Sequence, residues 1–240
     1  LEEGFPFASL AKIVQSMASA AARAGIQIVT GDTKVVSRGA VDGIFINTSG
    51  IGLIEYGAPL SVKSIQPGDV VILNGTIGDH GSAIMQSRDN LGLEADIISD
   101  SAPLNGLIAE ILRTSPEIHC MRDATRGGLG AILAEIAASA GVLINVSEQD
   151  IPVGENVRGI CEILGLDPLF LANEGKVVVF CPAAEAAKVL AVMKEHEFGR
   201  NSAIIGNVEE SGKGRVVLKT SIGGEKVVDL PTGELVPRIC

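Results

Sequence analysis

The sequence predicts a mixed α/β (α+β) protein, and three observations carry that prediction. Helical apolar spacing alternates with short β-branched runs along most of the 240 residues. Turns rich in glycine and aspartate separate those segments. A hydrophobic content of 46% over this length is enough to bury a core in one large or two modest domains.

Leu10, Ile13, Val14, Met17 and Ala21 recur at helical spacing, and Gly25 is placed to stop that helix. A strand-like run is expected at 26–30, then the polar turn 31–34, then a second strand region at 41–53. Pro59 and Pro67 mark the stretch 58–68 as a linker between two units. Beyond it, 70–73 reads as a buried strand that turns at Asn74-Gly75. Helices are expected at 104–112, 129–140, 157–164 and 184–193, the second with apolar residues at 129, 132, 133, 136 and 140. Strands are expected at 142–146, 176–180 and 203–208. The runs 216–219 and 226–228, joined through Gly223-Gly224, form an expected hairpin. The expected division is 1–60, 61–228 and a mobile tail at 229–240.

Charge and cysteine usage narrow the function classes. The formal charge of −10 argues against nucleic acid or an anionic membrane as partner. A nucleotide ligand would need a divalent cation to offset repulsion between its phosphates and nearby carboxylates. Cys120, Cys161, Cys181 and Cys240 form no CxxC pair and, with three histidines, no zinc-ligand spacing. Cys161 and Cys181 sit in apolar stretches as expected inert, buried residues, and unpaired cysteines fit a reducing cytoplasm. No basic leader and no run of 18 apolar residues is present, so no membrane segment is expected.

Four polar stretches interrupt the apolar elements. In residues 30–34, Gly31 allows close backbone approach, Asp32 can hold Mg²⁺, Thr33 completes the turn and Lys34 is a point charge suited to phosphate. Alone, such a turn is commonly structural. In 122–129, Arg122 and Arg126 flank Asp123 and Thr125, and Gly127-Gly128 precede a strongly patterned helix. That arrangement suits an anion or metal-nucleotide site at a helix N-terminus, with Asp123 or Thr125 serving only as a helix cap in the bland reading. In 172–176, Asn173 and Glu174 lie between two apolar runs, where a carboxylate is either partnered or basic enough for general-base work. A turn with a solvated glutamate is the plainer alternative. The fourth, 74–81, is a glycine-rich strand-to-helix turn in which His80 is as easily structural as catalytic.

The chain closes on Cys240, a soft nucleophile after two prolines in ten residues. Fully extended, ten residues reach about 33 Å, enough to carry a thiol-bound group between sites.

Taken together, GDTKVV (31–36), GDHG (78–81), RDATRGG (122–128), ANEGK (172–176) and the terminal PRIC (237–240) closely resemble the HypE family of hydrogenase maturation proteins. That family lies within the aminoimidazole-ribonucleotide-synthetase-like ATP-binding superfamily. The resemblance spans essentially the whole chain, and the terminal PRIC separates this family from its sisters. It implies a two-lobed fold in which 1–60 is the remaining part of an N-terminal ATP-binding lobe and 61–228 is a C-terminal α+β lobe. It implies ATP and Mg²⁺ as cofactors, with Asp32 and Asp123 as metal ligands. Gly31, Thr33, Thr125, Arg126, Gly127, Gly128 and Asn173 would face the nucleotide.

The resemblance also implies a reaction. A carbamoyltransferase, HypF, loads the Cys240 thiol, and ATP-dependent dehydration turns the thiocarbamate into a thiocyanate, with Glu174 as the base and Lys34 neutralising phosphoryl charge. The cyanide then passes to iron on the HypC–HypD scaffold. The family's glycine-rich N-terminal segment, its acidic NDVA-type motif and further strands of the first lobe do not appear in this sequence. Exposed apolar surface is therefore expected where those strands pack, along with loss of the sheet-mediated homodimer. Two other readings stay open: a thiol carrier that docks partners without catalysis, and a sister ATP-dependent synthetase or kinase, which needs no terminal thiol.

Overall fold

The computed structural model describes residues 1–57, 60–89, 97–210 and 213–230. The chain divides into two units, Leu1–Glu55 and Tyr56–Cys240.

The first unit contains one helix, α1 (Phe7–Ala24). It ends where the glycine predicts: Gly25 takes the left-handed conformation (φ 66°) and its N–H reaches Ala21 O and Ala22 O. No α1 residue is buried. The strands expected at 26–30 and 41–53 do not form; the pairing described in this unit is an isolated parallel bridge, Glu2 to Val36. An apolar alternation becomes a strand only when another strand takes up its backbone groups. Val29, Phe45, Leu53 and Ile54 are instead 72–93% exposed, the apolar surface that the sequence leads one to expect.

The second unit is built on a seven-stranded sheet. Its strands are β1 (Asp69–Leu73), β2 (Cys120–Asp123), β3 (Leu143–Ser147), β4 (Val177–Pro182), β5 (Ala203–Glu209), β6 (Arg215–Lys219) and β7 (Glu225–Val228), in the order β2-β4-β1-β5-β3-β6-β7. All neighbours are antiparallel except the β3–β6 pair. The β6–β7 hairpin forms as its sequence predicts.

Alternation along the two central strands explains both faces. Val71, Leu73, Val178 and Phe180 pack with Leu129, Ile132, Leu133 and Ile136 of α4 (Gly128–Ala140). Ile72, Val177, Val179 and Cys181 face the other way. They pack with Leu107 and Ile111 of α3 (Asn105–Thr114) and with Val189 and Met193 of α6 (Ala183–Glu195). A third cluster joins Met85 of α2 (Asp79–Asp89) to Val157, Ile160 and Cys161 of α5 (Glu155–Leu164) and to Leu171. Because the middle of the sheet is covered on both sides, the turns at its strand ends are held at fixed positions. Three of those turns carry the candidate site.

Candidate functional site

The site in the second unit is assembled by one buried amide. Asn173 is 1% exposed. Its Oδ1 accepts the Gly78 N–H at 2.8 Å, and its Nδ2 donates to Ala124 O at 2.8 Å and Leu171 O at 3.2 Å. Three turns therefore meet there: the one before α2, the one between β2 and α4, and the 172–176 turn itself. Asn173 is committed to holding the loops, so it supports the site from beneath.

A second buried amide fixes the far end of the same turn. Asn74 Nδ2 donates to Gly175 O at 3.0 Å and Phe198 O at 2.9 Å, while its Oδ1 accepts the Val177 N–H at 2.8 Å. Asp100 completes the frame. It accepts the Glu174 N–H at 3.0 Å and pairs with Lys176 Nζ at 2.7 Å. Gly175 is required here, since a Cβ would lie 2.0 Å from Asp100 O.

Glu174 is thus held by its backbone, and its side chain, 33% exposed, points towards His80, with Oε1 4.0 Å from Nε2. Burial raises the pKa of its carboxyl; His80 opposes that rise, and Asp100 and Asp123 add to it. A carboxylate made more basic in this way suits proton abstraction. Asp79, in the first turn of α2, is also raised, chiefly by burial, with the Thr76 hydroxyl and Lys176 acting against it.

The 122–128 stretch forms the adjoining wall. Asp123 is exposed at the end of β2 and accepts the Thr125 hydroxyl at 2.5 Å. Neither residue caps α4: the N-cap is Gly127, in the left-handed conformation (φ 75°). Gly128 is also left-handed (φ 65°), its N–H donates to Thr125 O at 3.2 Å, and a Cβ there would lie 2.5 Å from both Leu169 O and Leu171 O. The paired glycines therefore have a steric reason independent of any anion. Arg126 is exposed beside them, and Arg122 lies 3.7 Å from Glu135.

Gly31, Asp32, Thr33 and Lys34 belong to the first unit and are all exposed, with Asp32 Oδ1 accepting the Thr33 N–H at 2.8 Å. Cys240 and the PRIC motif lie outside the described residues. No group of three or more His, Cys, Asp or Glu able to hold a metal occurs among the described residues. Nor is any described helix long and apolar enough to cross a membrane. Sequence reasoning missed Ser99 and Asp100, single polar residues in a stretch without motif, and read Asn74 only as part of the 74–81 turn; the partners of Asn74 and Asp100 lie far along the chain.

Residues 2–54 match the N-terminal domain of AIR synthase related proteins, and 66–219 match the C-terminal domain. Carbamoyl dehydratase HypE of Azotobacter vinelandii is 52% identical over 240 residues, which is all of this chain and 70% of that protein. The Escherichia coli protein of the same name is 48% identical with the same coverage. A crystal structure of HypE in complex with ATP matches with a TM-score of 0.95 at 44% identity, covering 100% of this chain and 73% of that one. HypE in a HypE–HypF complex matches with a TM-score of 0.92 at 50% identity, covering 96% and 75%. Two domain matches in series, and near-half identity along the whole length, place the chain in the HypE carbamoyl dehydratase family of the AIR synthase related proteins.

Proposed function

We propose that this chain carries out the ATP-dependent dehydration of a carbamoyl group held on the Cys240 thiol, yielding a thiocyanate that supplies cyanide for [NiFe] hydrogenase maturation. The observation that carries this reading is the placement of Glu174: a carboxylate made basic by burial, on a turn locked by Asn173 and Asp100.

In the net reaction S–C(=O)–NH₂ becomes S–C≡N, so the carbamoyl oxygen and both nitrogen protons must leave. ATP with Mg²⁺ would supply the phosphoryl group that lets that oxygen depart as phosphate. One nitrogen proton leaves to solvent as the oxygen is phosphorylated, and Glu174 takes the other as phosphate departs and the C≡N bond forms. Asp32 and Asp123 are the residues that would hold Mg²⁺. Magnesium is usually held by one or two carboxylates plus phosphate oxygens, and an exposed Asp123 at a strand end fits that pattern. Lys34 would neutralise phosphoryl charge, and Gly31, Thr33, Thr125, Arg126, Gly127 and Gly128 would hold the nucleotide. Asn173 joins the 122–128 loop to the turn before α2. A HypF-type carbamoyltransferase would load the thiol, a HypC–HypD-type scaffold would receive the cyanide, and the longer form would be a homodimer in the cytoplasm.

The test is mass spectrometry of the C-terminal peptide after incubation with the carbamoyltransferase, carbamoyl phosphate and ATP. A carbamoyl adduct on Cys240 that then loses the mass of water supports the reading. An adduct that persists with ATP and Mg²⁺ present reduces the chain to a thiol carrier, and an unmodified peptide alongside an active transferase overturns the reading.

A further inference from the structure

His80 occupies the first turn of α2 with its ring 12% exposed. Its Nδ1 lies 2.8 Å from Ser99 Oγ, and its Nε2 is buried with no hydrogen-bond partner among the described residues. The group that this nitrogen approaches is Glu174 Oε1, at 4.0 Å. A buried polar atom left unpaired is costly, so one aimed at a carboxylate calls for a reason.

Two features favour a proton on Nε2. Ser99 Oγ already accepts the Ser101 N–H at 3.2 Å, which leaves its own hydrogen free to point at Nδ1. The opposite tautomer would set the Nε2 lone pair against a carboxylate oxygen, which is repulsive. The proton therefore sits on Nε2 and faces Glu174.

We propose that His80 is a positioning residue for Glu174: its Nε2–H draws in Oε1 and leaves Oε2 directed at the carbamoyl nitrogen. This rests on the dehydration reading above. The gap of 4.0 Å exceeds hydrogen-bond reach, and a side-chain movement of about 1 Å by the partly exposed Glu174 closes it. The titratable groups acting on Glu174 are His80 from α2, Asp100 from the segment before α3 and Asp123 from β2. Of these only His80 favours the carboxylate form that a base requires. Asp79, next to His80, is engaged with the Thr76 hydroxyl.

Two measurements on the full chain test the proposal. In ¹⁵N NMR of the imidazoles, three histidines give an assignable spectrum. The neutral His80 ring is expected as the Nε2–H tautomer, and Glu174→Gln should move its Nε2 signal while His119 and His196 stay put. An Nδ1–H tautomer, or no response to Glu174→Gln, overturns the proposal, whether or not the chain is active.

In the second measurement, carbamoylated Cys240 is followed to thiocyanate across pH. His80→Ala should lower kcat roughly 10- to 100-fold, the usual effect of removing an orienting partner, with KM for ATP unchanged. Its acidic limb should shift to higher pH. His80→Gln, whose amide nitrogen can replace Nε2–H, should recover most of the rate. Melting temperatures close to the parent's confirm that the variants fold. A His80→Ala enzyme with the parent's kcat and pH limb refutes the role, as does a His80→Gln enzyme as slow as His80→Ala. If the parent itself leaves the carbamoyl group unchanged, the dehydration reading fails, and the NMR measurement alone decides the ring–carboxylate geometry.

Discussion

Lys176 Nζ lies 2.7 Å from Asp100 Oδ2, with only 9% and 5% of the two side chains exposed. This buried pair anchors the turn carrying Glu174 to a segment outside any helix or strand. Asp100 also accepts the backbone N–H groups of Glu174 and Gly175, at 3.0 and 3.4 Å. Removing one partner of a buried pair leaves an uncompensated charge, which costs about 3–5 kcal/mol. Asp100→Ala is therefore expected to lose about that much stability. Lys176→Met keeps most of the volume and leaves Asp100 with its two N–H donors, so it should lose less. Urea denaturation midpoints check the order; a larger loss for Lys176→Met would show that the aspartate is not the keystone.

Glu174 ties the frame to chemistry, and the sign of its pH dependence follows from its environment. Burial raises its folded pKa above the ordinary 4.5. In its proposed role as base Glu174 acts in the ionised form, so turnover should rise with pH through that raised value and fall below it. Glu174→Gln should abolish this limb and slow dehydration by about 10²- to 10⁴-fold, the range for losing a general base. For folding the sign is opposite. A raised folded pKa contributes stability that is fully present below the unfolded pKa and is lost as pH rises through the folded one. Glu174→Gln should therefore be no less stable than the parent at neutral pH. Thermal melts at pH 4 and pH 7 beside the rate profile separate the two effects, and a large stability loss in Glu174→Gln at pH 7 would contradict this account.

Gly128 shows how a motif can have two causes. Any L-residue there meets both a left-handed backbone and two carbonyl oxygens 2.5 Å from its Cβ. Gly128→Ala should cost roughly 2 kcal/mol or more, since the obstruction is backbone on both sides. Gly165→Ala, left-handed but in open space, should cost only the backbone term of about 1 kcal/mol. Equal losses in the two variants would remove the packing argument for Gly128.

Elements with a strong period of their own were legible in the sequence. The 3.6-residue repeat at 129–140 became α4. The alternation at 216–219 and 226–228 became the β6–β7 hairpin. β2 was not legible. Cys120-Met121-Arg122-Asp123 is short and half charged, and it is a strand because it pairs with residues 177–180 of β4. The runs at 26–30 and 41–53 failed for the complementary reason: strand-like residues without a paired neighbour. At the site, RDATRGG and ANEGK marked the turns correctly. Asn173 and Asn74 lay inside stretches singled out in the sequence, but what they bind was not legible, and Asp100 had no local pattern at all. Asn74 acts on Val177, 103 residues away, and Asp100 on Lys176, 76 residues away. The motif glycines were read only as a helix-terminus anion loop, and their steric role needed the 169–171 backbone to be visible.

The buried cysteines make the terminal thiol chemically addressable. Cys120 and Cys161 are pushed up to about 11 and Cys181 to about 12, in each case chiefly by burial. The thiolate is the reactive form, and a thiol of pKa 11 is on the order of one part in a thousand ionised at pH 8. Burial also blocks the approach of an alkylating reagent to all three. Iodoacetamide at pH 8 should therefore place a single adduct on the folded chain, on the peptide ending in Cys240, and four adducts after unfolding in urea. Peptide mapping reads both states. A native-state adduct on Cys120, Cys161 or Cys181 would show that the second unit opens readily. It would also mean that the proposed carbamoyl transfer to Cys240 relies on recognition of the tail by the transferase rather than on thiol reactivity alone.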